Sequence, residues 1–299
     1  GAAVCIDNST GYVKAIVGGR TQDISGYTLN RAYQSYRQPG SAIKPLIVYT
    51  PLLEKGFTAD TIVVDKRIEG GPTNADKSYD GEMTLRRAVQ LSKNTVAWSL
   101  FERVSPKAGL NYLRNMEFTG LESGDETLAI SLGGFTKGVS ALEMTKGYAT
   151  LADDGMYRGA TCVMKITDYS GNTIYQNEQT EKEVYKESAA REMTNILESV
   201  VTGGTGKGLA VDNQPTAGKT GTTNDNKDGW FCGYTPYYTT AVWVGYDMPR
   251  TLPGLSGATY PGEIWKSFMN AIHSGLEHKD FMQAQQFIGE VATDGNVAQ

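Results

Sequence analysis

Histidine is nearly missing from these 299 residues: there are two, His273 and His278, both close to the C-terminal end. A Ser-His-Asp triad or a histidine-built metal site is therefore hard to assemble, and any nucleophile here needs a different base. Cysteine is scarce as well. Cys5, Cys162 and Cys232 are odd in number, far apart and without C-x-x-C spacing, and each stands in an apolar strand-like run. Buried unpaired thiols are the expectation. Basic charge is not in excess either: 28 Lys and Arg stand against 33 Asp and Glu, a net charge of −5. That balance gives no footprint for nucleic acid. No window approaches the roughly 18 apolar residues of a membrane span, and the opening residues read as a hairpin rather than a signal peptide. A membrane connection is therefore expected only through an N-terminal segment outside this chain, the chain itself being an excised soluble domain.

What is present alternates between strand-like and helical texture. Residues 2 to 19 read as two strands around an Asn-Ser-Thr-Gly turn, and Gly40 to Lys55 as a helix stopped at Gly56. Residues 61 to 79 read as loop. From 83 to 150 apolar residues recur at three- and four-residue spacing through TLRRAVQL, NTVAWSLFERV, KAGLNYLRNM and SALEMTKGYATLADDG, which predicts helices. A hairpin turning at Ser170-Gly171-Asn172 follows, then a helix over 188 to 201. Three strands come next, TAGKTGTT, GWFCGYT and YYTTAVWVGYD, the last rich in β-branched and aromatic residues. EIWKSFMNAIHSGL is an amphipathic closing helix, with a polar tail from about residue 276 to 299. The domain is read as 1–275, with a helical portion over about 61–154.

Three short motifs concentrate the chemistry. In RQPGSAIKPLIVYTPLL, Ser41 sits at the first turn of a helix, where unpaired N–H groups and the helix dipole favour an anion. Lys44, three residues on, lies on the same face. At its ordinary pKa a lysine is neutral in only about one molecule in 2,500 at pH 7, so as a base it needs burial or a second cation to lower that value. Pro45 lacks an N–H for the Ser41 carbonyl and disfavours helical geometry at Lys44, so an irregular first turn is expected. Ser92-Lys93-Asn94 stands at the break between two helical patterns, where Ser92 or Asn94 could simply cap the second helix. Lys219-Thr220-Gly221-Thr222 lies in a strand that mixes charge, hydroxyls and glycine, and glycine inside a strand marks a close approach of backbone or ligand. The glycine-rich stretches also imitate a phosphate loop. They fail at Asn213, where glycine is required, and at Gly208, where Ser or Thr is required.

Taken in order, S-x-x-K, S-x-N and K-T-G form the signature of serine penicillin-binding enzymes. The chain resembles the transpeptidase module of class A (bifunctional) penicillin-binding proteins well beyond these motifs. AAVCIDNSTGYVKAIVGG, NRAYQSYRQPGSAIKP, GEMTLRRAVQLSKNTVAW, GVSALEMTKGYATLADDG, VVTGGTGKG, AGKTGTTNDNKDGWFCGYTP and AVWVGYDMPR all carry the likeness, over about residues 2 to 270. The resemblance implies an α+β fold, a five-stranded antiparallel sheet flanked by helices beside an all-helical subdomain, with the site in the cleft between. It implies Ser41 as nucleophile, Lys44 as its base, Ser92 as proton relay and Lys219 as second cation. Asn94, Thr220, Gly221 and Thr222 would bind substrate, and the N–H groups of Ser41 and Thr222 would form the oxyanion hole. The implied reaction is D,D-transpeptidation of peptidoglycan stem peptides ending in D-Ala-D-Ala, on the extracytoplasmic face of the bacterial membrane, without cofactor or metal. β-Lactam antibiotics would acylate the same serine. A D-Ala carboxypeptidase, a β-lactamase using Glu122, Asp125 or Glu126, and a non-catalytic β-lactam sensor are the alternatives. The motif leaves Lys93 without a role.

Overall fold

The computed structural model describes residues 1–20 and 28–284. Five strands form one antiparallel sheet: β1 (Ala2–Asp7), β2 (Val13–Val17), β3 (Ala217–Thr222), β4 (Asp228–Tyr234) and β5 (Tyr238–Gly245), in the order β2-β1-β5-β4-β3. Every residue of β4 is buried, because this strand lies inside the sheet and is covered on both faces. Its alternate side chains feed two separate cores. Trp230, Cys232 and Tyr234 face the larger one, and Phe231 faces a smaller one with Val242, Trp265 and Met269.

The larger core is built on the helix that begins at Gly40. Ile43, Leu46, Ile47, Val48, Tyr49 and Leu52 are all fully buried on it, so it is apolar on every side, as a core helix must be. Each of the aliphatic side chains among them contributes roughly 1.5–3 kcal/mol by leaving water. Around it stand α1 (Leu85–Leu91), α2 (Asn94–Val104), α3 (Pro106–Asn115), α4 (Ala141–Ala152) and α5 (Glu187–Gly203). α6 (Tyr260–His273) closes the opposite face of the sheet through Trp265 and Met269.

The α+β architecture with its five-stranded antiparallel sheet is the one expected, and two local readings need correction. Ile62–Asp65 is a strand paired with Gly81–Thr84, not loop. Its buried positions are Val63 and Asp65, and an inward-facing carboxylate hides the alternation that marks a strand. Cys5 and Cys232 are buried, but Cys162 is exposed, since it leads into the Lys165–Thr167 and Thr173–Gln176 hairpin, whose strands are exposed throughout. The segment after α6 is pinned to the body as far as it is described. Gln214 donates to the Glu277 carbonyl at 2.7 Å, and Phe281 packs edge-on against Tyr234. Residues 285–299 of the expected polar tail lie outside the described residues.

Candidate active site

The helix carrying Ser41 starts irregularly, as Pro45 requires. Gly40–Ile43 is a 3₁₀ turn in which the Lys44 N–H donates to the Ser41 carbonyl, and Pro45–Tyr49 is a widened π segment closed by the Thr50 N–H on the Pro45 carbonyl. In a 3₁₀ turn residues three apart eclipse one another, which puts Lys44 on the same side of the helix as Ser41. Glycine makes the turn possible. Gly40 has φ +54°, and a Cβ there would stand 2.8 Å from the Thr222 carbonyl oxygen and 3.1 Å from its nitrogen. A Cβ on Gly221 would collide with the Pro39 carbonyl. The glycine of the third motif thus marks a close approach, between β3 and the turn that holds Ser41.

Lys44 is fully buried and makes two short hydrogen bonds, to the Ser92 carbonyl at 2.9 Å and to Asn94 Oδ1 at 2.8 Å. Both partners can only accept, so two N–H bonds are committed to them. One position on the nitrogen remains uncommitted, and the Ser92 hydroxyl lies farther off at 3.5 Å. In the neutral amine that position is the lone pair. Burial first, and the charge of Lys219 second, hold the Lys44 pKa well below the usual lysine value. Lys219, also fully buried, donates to the Ser92 hydroxyl at 2.8 Å and to the Thr220 carbonyl at 3.2 Å. Its own pKa is lowered by burial to about 7. The Ser92 hydroxyl therefore lies between two amines that both resist a full charge. Ser92 itself adopts φ +59°, a left-handed conformation that costs a non-glycine residue energy and recurs at functional sites.

The edge strand presents its backbone to the same place. Thr223 N–H bonds the Asp228 carbonyl, so the alternation of an antiparallel ladder turns the Thr222 N–H outward, on the side where Gly40 approaches. Thr222 Oγ1 accepts the Gly257 N–H at 3.0 Å, and Thr220 Oγ1 lies 2.6 Å from Thr205 Oγ1. An oxygen already accepting a hydrogen bond keeps its own proton available for an anion.

Several neighbours escaped sequence reasoning. Helix α2 is capped neither by Ser92 nor by Asn94. Asn74 Oδ1 accepts the N–H groups of Asn94 at 2.8 Å and Thr95 at 3.3 Å, which leaves the Ser92 and Asn94 side chains to the lysines. A cap borrowed from twenty residues away has no local signal. Thr205 stands in the glycine-rich stretch that fails as a phosphate loop. Of the acidic loop, Asp125 is buried and accepts the N–H groups of Glu122 at 2.8 Å and Thr136 at 2.6 Å. It holds its own turn together. His273 is tied to the Met269 carbonyl and the Thr235 hydroxyl, both at 2.7 Å. Among the described residues no cluster of His, Cys, Asp or Glu is arranged to hold a metal ion, and no helix is long and apolar enough to cross a membrane.

Residues 1–270 match the family model described as "Penicillin binding protein transpeptidase domain". The chain belongs to that family. Penicillin-binding protein 4 of Bacillus subtilis is 36% identical over 277 residues, covering 91% of this chain and 44% of the relative. Penicillin-binding protein 1F of the same organism is 38% identical, covering 90% of this chain and 38% of the relative. This transpeptidase domain thus spans less than half the length of those two curated relatives. Among solved structures, PonA1 from Mycobacterium tuberculosis in complex with penicillin V superposes with a TM-score of 0.84 at 26% identity, over 95% of this chain and 81% of that one. Penicillin-binding protein 1A from Haemophilus influenzae gives 0.82 at 25% identity, over 95% and 49%.

Proposed function

We propose that this domain is a D,D-transpeptidase acting through an acyl-enzyme on Ser41, with the domain proper running over 1–275 and its helical portion over about 61–154. The neutral Lys44 takes the Ser41 proton as Oγ attacks the carbonyl of the penultimate D-Ala. The oxyanion that forms is held by the N–H groups of Ser41 and Thr222, which need no reorganisation because the close approaches of Gly40 to Thr222 and of Gly221 to Pro39 fix the backbone there. Breakdown breaks the amide bond, and the leaving D-Ala nitrogen receives its proton through Ser92, whose hydroxyl is resupplied from the lysines. An amine from a neighbouring strand then attacks the ester carbonyl, restores Ser41 and forms the cross-link. Lys219, when charged, attracts the terminal carboxylate, and Thr220 and Thr222 donate to it. A β-lactam follows the same first step, but its nitrogen stays tethered to the acyl group.

The observation that carries this reading is Lys44 with two obligate acceptors and one position left over, beside a Ser92 hydroxyl that Lys219 holds. The likeness to PonA1, a protein seen with penicillin V, supports the β-lactam half. The relatives support placement on the cell-wall side of the bacterial membrane, with any anchor outside this chain.

The test is mass spectrometry after penicillin treatment, followed by D-Ala release from a D-Ala-D-Ala peptide with and without an amine acceptor. A stable adduct mapped to Ser41, absent in Ser41→Ala, together with amine-dependent product, is expected. Release into water alone makes the domain a carboxypeptidase. Rapid loss of the adduct makes it a β-lactamase, and a stable adduct with no peptide turnover makes it a sensor.

A further inference from the structure

Lys93, the middle residue of the second motif, is buried to within 1% of full enclosure. Its Nζ lies 2.7 Å from Asp80, 2.9 Å from Asp76 and 3.2 Å from Asp65, with the Ser78 hydroxyl at 3.1 Å. Burial alone would lower its pKa, but Asp80, Asp76 and Asp65 together raise it above the usual lysine value, so it is a permanent cation. One carboxylate would neutralise it. Two of the three belong to the segment 73–80, which has no helix or strand of its own.

That segment touches the motif at a second point. Asn94 Nδ2 donates to the Thr73 carbonyl at 2.9 Å, while Asn94 Oδ1 accepts from Lys44. A primary amide has two orientations, half a turn apart, with opposite hydrogen-bonding faces. With its oxygen toward Lys44, the amine donates and its lone pair stays available. With its NH₂ toward Lys44, the amide donates into that lone pair and the base is lost. The Thr73 carbonyl can only accept, and so it selects the first orientation. Asn74 adds bonds to Asp65 at 2.7 Å and to the Ser78 carbonyl at 2.8 Å.

We propose that Lys93 is a positioning residue: through Asp76 and Asp80 it holds the 73–80 segment so that Thr73 locks the Asn94 amide with its oxygen toward Lys44. The inference rests on the reading of Lys44 as the base. It gives the loop a task in acylation that is separate from any contact with substrate.

Asp76 and Asp80 are half-exposed, so the Asp76→Ala/Asp80→Ala double variant is the main test and keeps the proposal testable if Lys93→Met, measured beside it, fails to fold. Hydrogen exchange reads the release of amides 73–80. Rapid-mixing kinetics with a fluorescent penicillin separate pre-covalent affinity from the acylation rate constant. The expected result is faster exchange, unchanged affinity, and acylation slower by about tenfold or more, the scale of one hydrogen bond to a reacting group. In an Asn94→Ala background, where there is no amide to turn, the same double variant is expected to produce no further slowing. An equal slowing in both backgrounds overturns the proposal. So does faster exchange with unchanged acylation, and so does unchanged exchange. A parent protein that fails to form the Ser41 adduct overturns the proposed function instead.

Discussion

The Tyr185 hydroxyl donates to the Leu46 carbonyl at 2.6 Å, across 139 residues of sequence. Leu46 lies in the widened turn where the Thr50 N–H already bonds the Pro45 carbonyl, and Pro51, next in line, has no N–H to offer. Tyr148 does the same for the Ala42 carbonyl, also at 2.6 Å. Two fully buried tyrosines thus complete the irregular helix that carries Ser41 and Lys44.

Tyr185→Phe leaves a buried carbonyl without a donor. It is expected to cost roughly 1–3 kcal/mol of stability in denaturant unfolding. Tyr148→Phe is expected to cost a similar amount and also to slow acylation, because Ala42 adjoins Ser41. Acylation at the parental rate in Tyr148→Phe would show that the turn keeps its shape unaided.

The pH dependence of penicillin acylation is expected to be bell-shaped in kcat/KM-type constants, which report the free protein. The rising limb belongs to Lys44, lowered by burial and by Lys219, and reflects loss of its proton. The falling limb, near pH 7, belongs to Lys219, lowered by burial to about 7, and reflects loss of the charge that attracts the carboxylate. A rate that climbs steadily from pH 5 to pH 10 contradicts the role given to Lys219.

Stability should move with pH in a defined direction. The folded pKa of Lys219 is about 7, below the unfolded value of about 10.4. The unfolded chain therefore binds more protons between these values, and stability rises with pH across that window. Lys219→Met is expected to raise the melting temperature most below pH 7, with the gain fading toward pH 10. A gain that does not vary with pH would mean that the lysine is not strained by its charge.

Thr222→Ala removes a hydroxyl whose oxygen accepts from Gly257 and whose proton is left for an anion. Peptide turnover is expected to fall more than penicillin acylation if that hydroxyl grips the terminal carboxylate. Steady-state turnover and adduct formation, measured side by side, decide it. Equal losses point to the backbone of the proposed oxyanion hole instead.

Legibility in the sequence followed how local each cause is. Pro45 announced an irregular turn, because proline acts on its own carbonyl partners. Gly221 announced a close approach, because a missing Cβ is a property of one residue. Ser41, Lys44, Ser92, Asn94 and Lys219 could be picked out by motif, and the structure brings Lys44, Ser92, Asn94 and Lys219 into one hydrogen-bonded group. What stayed hidden depends on distant parts of the chain. Asn74 caps a helix that begins at Asn94, Tyr148 and Tyr185 serve carbonyls more than a hundred residues away, and Thr205 pairs with Thr220 only through the fold. Asp65 faces inward on a strand, where an alternation of apolar residues is the signal and a carboxylate erases it. Its partners Thr95, Asn74 and Lys93 explain why it is there.

The two tyrosine donors also bear on transplantation. A four-residue cassette of serine and lysine grafted onto an ordinary helix brings the side chains but not the overwound turn, the proline that unseats it or the distant phenols that finish it. A scaffold meant to host this pair has to import one donor from a further helix and another from a bend between strand and helix, so the smallest portable unit of the pair is most of the domain.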